Sequence, residues 1–270
     1  GRLYSIYEFQ VIDGIDRALA ESIKPFIRFG ASAEARFRPR NAIKYGKHNV
    51  FMRMGGTLET PRGYIDSAGY PGNRLKYYTR YQYDYNRRVR WGLVAEKDPG
   101  EQFFRGAQKQ GFDYYTAHLQ IRDIGPVENL VAGDFQGQFG QGLVLSSGFR
   151  NGKSPYVLNT SKQVDGLRKY SSTNENEFFR GGGLEVSWKQ FELTAFASRK
   201  KRDANLERDS TRTVITSLNA TGIHATENQV EKKDVLQESV IGGQLKWQGK
   251  RLNIGASFLA SRFGTPVQKE

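Results

Sequence analysis

Long runs in which apolar and polar residues take turns constrain this chain more than any other feature. From Arg28 to Arg38, Phe29, Ala31, Ala33, Ala35 and Phe37 fall on one side, and Arg28, Ser32, Glu34, Arg36 and Arg38 on the other. A period of two is strand geometry, because successive side chains of a strand point to opposite faces. Val50, Met52, Met54 and Leu58 repeat it with Arg53 opposite, and Tyr77, Thr79, Tyr81, Tyr83 and Tyr85 stand against Tyr78, Arg80, Gln82 and Asp84. Val89, Trp91, Leu93 and Ala95 oppose Arg88, Arg90 and Glu96; Tyr115, Ala117, Leu119 and Ile121 oppose Thr116, His118, Gln120 and Arg122. Further along, Leu184, Val186 and Trp188, then Phe191, Leu193, Ala195 and Ala197, then Ile241, Leu245 and Trp247, and finally Leu252, Ile254, Ala256, Phe258 and Ala260 continue the series. About ten strands are expected, each roughly 9–11 residues long, the length a tilted strand needs to cross a bilayer. Strands of soluble sandwiches also alternate but average only about 5–6 residues.

The connections are unequal. Tight ones fall at Asn86-Arg87, at Ile124-Gly125-Pro126, at Lys189-Gln190 and at Gln248-Gly249-Lys250. Long polar ones run over 98–110, 151–177 and 203–235, so that from Leu75 onward short and long alternate. Short turns on one side and long loops on the other are the habit of outer-membrane barrels. The fold expected over 28–270 is therefore all-β, an antiparallel up-and-down transmembrane barrel. Its charged mid-strand residues Arg53, Arg80, Arg90 and Glu192 are candidates to face the lumen. The charged C-terminal Gln268-Lys269-Glu270 reads as a cut before the barrel's last strand, and the absence of an initiator Met suits a processed or internal piece. If Arg28–Arg38 and Val50–Leu58 both cross, the N-terminus lies with the long loops.

Residues 1–27 have a different rhythm. Leu3, Ile6, Tyr7 and Val11 have helical spacing, and Ala18, Leu19, Ser22, Ile23 and Phe26 follow the Ile12-Asp13-Gly14-Ile15-Asp16 turn. Two short helices are expected, the second capped by Asp16 and ended by Pro25.

Ile12, Gly14, Ile15, Ala18, Ala20 and Ile23 resemble a helix-hairpin-helix unit. That resemblance implies a phosphate contact at Gly14, Ile15, Asp16 and Arg17, although Asp16 stands where the family usually carries a second glycine. The whole chain resembles Gram-negative outer-membrane proteins that join such hairpins to a β-barrel. The resemblance runs through Ser5-Ile6-Tyr7-Glu8, Leu75-Lys76-Tyr77-Tyr78-Thr79-Arg80-Tyr81 and Glu96-Lys97-Asp98-Pro99-Gly100-Glu101. It is sharpest over Gly133-Asp134-Phe135-Gln136-Gly137-Gln138-Phe139-Gly140-Gln141-Gly142-Leu143, and Tyr170-Ser171-Ser172-Thr173-Asn174-Glu175-Asn176 extends it. It implies a bacterial outer-membrane location, outer-membrane lipid and other envelope proteins as partners, and DNA as a further partner through the hairpin.

Chemistry is sparse. Cysteine is absent, which removes disulfides, thiolate nucleophiles and Cys-type zinc sites. His48, His118 and His224 are far apart in sequence with no carboxylate at ligand spacing, and are expected to be isolated polar residues rather than a metal site. Gly137, Gly140 and Gly142 lack the Lys-Ser/Thr of a phosphate loop, and read as a strand bend. Glu96, Asp98, Glu101 and Asp113 cluster in sequence without a nucleophile beside them. No cofactor is expected. The net charge of +13 suits an anionic partner. These features favour a channel, transport or assembly component without catalysis; the alternative is a DNA-binding or DNA-uptake protein acting through the hairpin.

Overall fold

The computed structural model describes Leu19, Ser22 and residues 39–65, 69–140, 142–146, 166–208, 213–249 and 251–266. The chain divides into two units, 1–40 and 41–270. Most of the first, including the hairpin turn at Gly14, Ile15, Asp16 and Arg17 and the alternating segment Arg28–Arg38, lies outside the described residues. Leu19 and Ser22 are helical, with the Ser22 hydroxyl donating to the Leu19 carbonyl at 2.7 Å.

The second unit is mostly antiparallel sheet. A short helix α1 (Pro39–Tyr45) precedes β1 (Lys47–Gly55), β2 (Lys76–Tyr85), β3 (Val89–Lys97), β4 (Tyr114–Ile124) and β5 (Val127–Phe139). There follow β6 (Leu145–Ser146), β7 (Gly166–Lys169), β8 (Phe179–Trp188), β9 (Phe191–Arg202), β10 (Ala204–Arg208) and β11 (Thr213–Leu218). Helix α2 (Glu227–Glu231), β12 (Leu236–Gln248) and β13 (Asn253–Phe263) complete the series. Nine long strands form one meander in the order β1-β2-β3-β4-β5-β8-β9-β12-β13, and β10 pairs with β11 separately. No pairing joins β1 to β13 among the described residues, so the sheet is open, with both edge strands exposed along nearly their whole length.

The meander puts every short connection at one end and every long one at the other. Asn86 and Arg87 both have positive φ (50° and 60°), and the Arg88 N–H donates to the Tyr85 carbonyl at 2.9 Å. Positive φ at both central residues is what a two-residue hairpin turn needs to follow the right-handed strand twist. Helix α1 shares this end with the turns, because the Tyr83 hydroxyl donates to the Ala42 carbonyl.

The two faces of the sheet are inverted relative to a soluble protein. On β9, Phe191, Leu193, Ala195 and Ala197 are exposed while Thr194, Ser198 and Lys200 are buried. Leu193 is 52% exposed and its neighbour Thr194 2%. Register carries this pattern across the sheet: Leu193 pairs with Val186 and Leu245, and Thr194 with Glu185 and Gln244. The open face bears Met52, Leu93, Leu184, Ile241 and Phe258, all exposed; the covered face bears Thr116, His118, Gln120, Asn129, Glu185 and Gln244, all buried. All three tryptophans of the chain stand on the open face towards the short turns. Trp188 directly precedes one turn and pairs with Phe191, which pairs in turn with Trp247, while Trp91 pairs with Tyr83. Tyr77 and Tyr115 stand on the same face at the long-loop end.

Gly137 lies in the last stretch of β5, close to Leu145 and Leu167, and Gly140 and Gly142, just past the strand, both have positive φ. Strand β5 pairs with β4 only as far as Gly133, opposite His118. There φ is +81°, and a Cβ would lie 2.3 Å from the Ala117 carbonyl oxygen. Beyond it β5 leaves β4 and pairs with β7 and β6. Asp134 and Arg180 fill the fork. Asp134 Oδ2 accepts from the Ala117 N–H at 3.0 Å, and the Arg180 guanidinium donates to both Asp134 oxygens (2.7 and 3.0 Å) and to the Tyr115 carbonyl (3.0 Å). Strand β7 lies on the covered face: the Leu167 N–H donates to Glu185, and Asn129 Nδ2 donates to the Leu167 carbonyl at 2.7 Å. Leu167 joins Val131, Phe135, Phe139, Leu145, Phe196 and Val240 in an apolar cluster. The covered face is thus apolar where β6 and β7 fold back over it and mixed elsewhere, with Val94 and Tyr114 buried among its polar residues.

Candidate functional site

Cross-strand register assigns the charged candidates to one face. Arg53 pairs with Tyr78, Arg80 with Phe51 and Val94, and Arg90 with Asp84 and Gln120. Glu192 pairs with Ser187 and Lys246. All four therefore share the covered face with the buried polar row, but they do not form one group. Glu192 is neutralised by Lys246 at 2.9 Å and also accepts from Gln248 at 3.2 Å. At the other end of the same strands, Arg202 pairs with Glu238 at 3.2 Å, and Lys200 Nζ donates to the carbonyls of Asn176 and Phe178. The β9–β12 side is balanced.

The β1–β4 side is not balanced. Arg90 faces Asp84 at 3.3 Å, and no carboxylate lies within ion-pair distance of Arg53, Arg80 or Arg122 among the described residues. Arg53 and Arg80 instead lie over the rings of Tyr78 and Phe51, each 5.6 Å from the centroid, and these two rings meet edge-on at 5.8 Å. The Nε of Arg80 is buried without a hydrogen-bond partner, and the Nε of Arg90 is the atom that faces Asp84 Oδ2. Arg122 Nε and Nη2 lie 3.0 and 2.9 Å from the end of the Gln120 amide, which can turn its oxygen to accept from them. Lys169, from β7, is within electrostatic reach of Arg80 and Arg90, as is Arg122 of Arg90. A cationic, aromatic-flanked strip results, with Asp84 the one acid in ion-pair contact with its guanidinium groups among the described residues. Arg122 was visible in the alternation of β4, but Lys169 lies in a segment with no alternation to place it.

A second charged group holds the long loops together. His224 is not isolated, contrary to its reading from sequence spacing. Its Nδ1 donates to Asp113 Oδ2 at 2.6 Å, its Nε2 donates to Asp203 Oδ2 at 2.7 Å, and its backbone N–H donates to Glu101 Oε1 at 2.9 Å. Lys233 pairs with Asp113 at 2.7 Å, and the Asp234 N–H donates to Asp203 Oδ1 at 2.9 Å. The acids lie 21 and 111 residues from the histidine along the chain, so no spacing rule could find them. The two flanking carboxylates raise the imidazole to a pKa of about 10 against the cost of burial. Despite burial, hydrogen bonds from His224 together with the nearby positive charge hold Asp113 and Asp203 below the usual carboxylate range. Burial pushes Glu101 up to about 7 and Glu175 up to about 8.

Glu101 and Asp113, and separately Glu175 and Asp203, lie close enough to His224 to suggest metal ligation. A histidine donating through both ring nitrogens is an imidazolium and has no lone pair for a metal or for a substrate proton. The group ties loops; it does not make a general base. Lys97, fully buried at the end of β3, ties them too, through the carbonyls of Asn73 (3.3 Å), Leu75 (2.8 Å) and Asp98 (2.8 Å) and the Asn73 side chain (2.9 Å).

Comparison with protein-family models, with curated proteins and with solved structures gives no match for this chain.

Proposed function

We propose that this chain is part of an outer-membrane β-barrel of a Gram-negative bacterium, serving as a channel, transport or assembly component without catalytic activity. One observation carries the reading: on long antiparallel strands the apolar row is exposed and the polar row is buried. In water this arrangement would leave apolar side chains solvated on one whole face, at about 25 cal/mol per Å² of area that could have been buried. In a bilayer the same face is satisfied by lipid, and the polar row lines the inside. Strand lengths of 9–13 residues suit a tilted crossing. Tryptophans at one end and tyrosines at the other suit the two interfacial belts. The free edges of β1 and β13 are where the wall closes, with each other or with further strands.

Flotation of the refolded chain with phosphatidylcholine liposomes tests the proposal. The protein should rise with the lipid and resist extraction by high salt and by alkali. A chain that stays monomeric and folded in buffer without detergent refutes it.

DNA uptake remains the second reading, favoured by the cationic strip of Arg53, Arg80, Arg90 and Arg122 rather than by the hairpin.

A further inference from the structure

We infer that the strip on the covered face of β1–β4 is a binding site for phosphate-class anions, with Arg80, Arg90 and Arg122 as its principal donors and Lys169 above them. The inference rests on reading the covered face as the water-filled side of the wall.

Charge bookkeeping on this face separates its two halves. On β9 and β12 each of Lys246, Arg202 and Lys200 has a carboxylate or carbonyl partner. Lys76 has Glu96 and Asp98 at 2.7 and 2.5 Å. Arg53, Arg80 and Arg122 have no carboxylate among the described residues, and Arg90 shares Asp84 alone. Placing like charges side by side in partly buried positions is unfavourable unless something negative joins them.

The geometry sets several phosphate donors along one strip, with Arg90 and Arg122 as its closest pair. Arg90 lies opposite Gln120, so Arg122, two residues along the same strand, is its diagonal neighbour about 7–8 Å away between backbones. Arg80 lies four residues along β2 from Asp84, roughly 13 Å by strand rise, with its guanidinium over Phe51. The buried, unbonded Nε of Arg80 is a donor awaiting an acceptor, whereas that of Arg90 faces Asp84. Guanidinium forks match phosphate oxygens two at a time. Phe51 and Tyr78 hold the guanidinium groups of Arg80 and Arg53 over their rings and so fix where those charges stand. The shared chemistry is phosphate, either free or in the backbone of a single strand.

The test uses the full chain in detergent micelles, with calorimetric titration of inorganic pyrophosphate in one arm and anisotropy of a labelled oligothymidylate in the other. Binding is expected at low ionic strength and should weaken as salt rises. Arg80→Gln and Arg122→Gln should each weaken it by about tenfold or more, as loss of charged hydrogen bonds does. Lys201→Gln, which removes an equal charge from an exposed position, should leave it unchanged. Pyrophosphate binding alone assigns the free anion, and oligothymidylate displaced by pyrophosphate assigns a nucleic-acid strand; both support the site. The unmodified chain decides independently of any variant: if it binds neither probe below about 50 mM salt, the site is overturned. Arginine variants that keep their β spectrum and bind like the wild type overturn it too. A preparation that floats with liposomes but binds neither probe removes the strip and leaves the membrane reading standing. One that binds pyrophosphate but does not float does the reverse.

Discussion

At the scale of single residues, the His224 group has the clearest pH signature. The imidazole's pKa is raised from 6.5 to about 10, so its contribution to stability is complete below 6.5 and fades as pH climbs through about 10. Asp113 and Asp203 are depressed from 3.8, so theirs is present above 3.8 and is lost as pH falls further. Glu101 and Glu175 work in the opposite direction. Raised from 4.5 to about 7 and about 8, they hold protons in the folded chain that the unfolded chain has released, so stability declines from 4.5 upward through those values. The loops should therefore be tightest in mildly acidic solution. Nitrogen NMR of the His224 ring should show an imidazolium still present at pH 8; titration near 6.5 would mean that the two carboxylates are not bound to it. Asp113→Asn should bring the histidine's titration down and cost about 3–5 kcal/mol, the usual penalty for stranding one partner of a buried ion pair. Urea unfolding monitored in micelles would measure that loss.

Among the elements, strands and turns differ in how openly the sequence declares them. Strands β1, β2, β3, β4, β8, β9, β12 and β13 each contain an alternating run that could be read directly, because one row must be apolar and the other polar along the full length. Strand β5 escaped, since its alternation breaks at Gly133 and it buries side chains on both sides beyond Asp134. Strands β6, β7, β10 and β11 are short and owe their shape to the surfaces they meet, which local pattern does not encode. The Asn86-Arg87 turn was legible from its flanks. Arg87, at φ 60°, sits where glycine is favoured, so Arg87→Gly should stabilise the hairpin by roughly 0.5–1 kcal/mol. The fork predicts the opposite sign. Gly133→Ala, forced into positive φ and against the Ala117 carbonyl, should destabilise by about 1–3 kcal/mol or more. Midpoints of urea unfolding for the two variants should therefore move apart; movement in the same direction would mean that one of these two residues does not hold a positive φ.

Across the whole molecule, what was legible was the division of strand residues into two rows. Which row is covered could not be read from alternation alone, because a soluble sandwich and a membrane wall share the same period and differ only in which face meets the core. The structure leaves the apolar row open and covers the polar one. The loop-end ion cluster and the unbalanced arginines were illegible for a different reason, since partners from four or more separate segments meet only after the meander has formed.

The central claim is that lipid covers the open face. Because the chain has no cysteine, a single nitroxide label can be placed at each position from Phe191 to Lys200 without background. In liposomes, collision with dissolved oxygen, which concentrates in the bilayer, should be high at Phe191, Leu193, Ala195 and Ala197 and low at Glu192, Thr194, Phe196 and Ser198. Uniform accessibility along the strand, or an alternation in which a water-soluble nickel reagent reaches the apolar positions best, would contradict it.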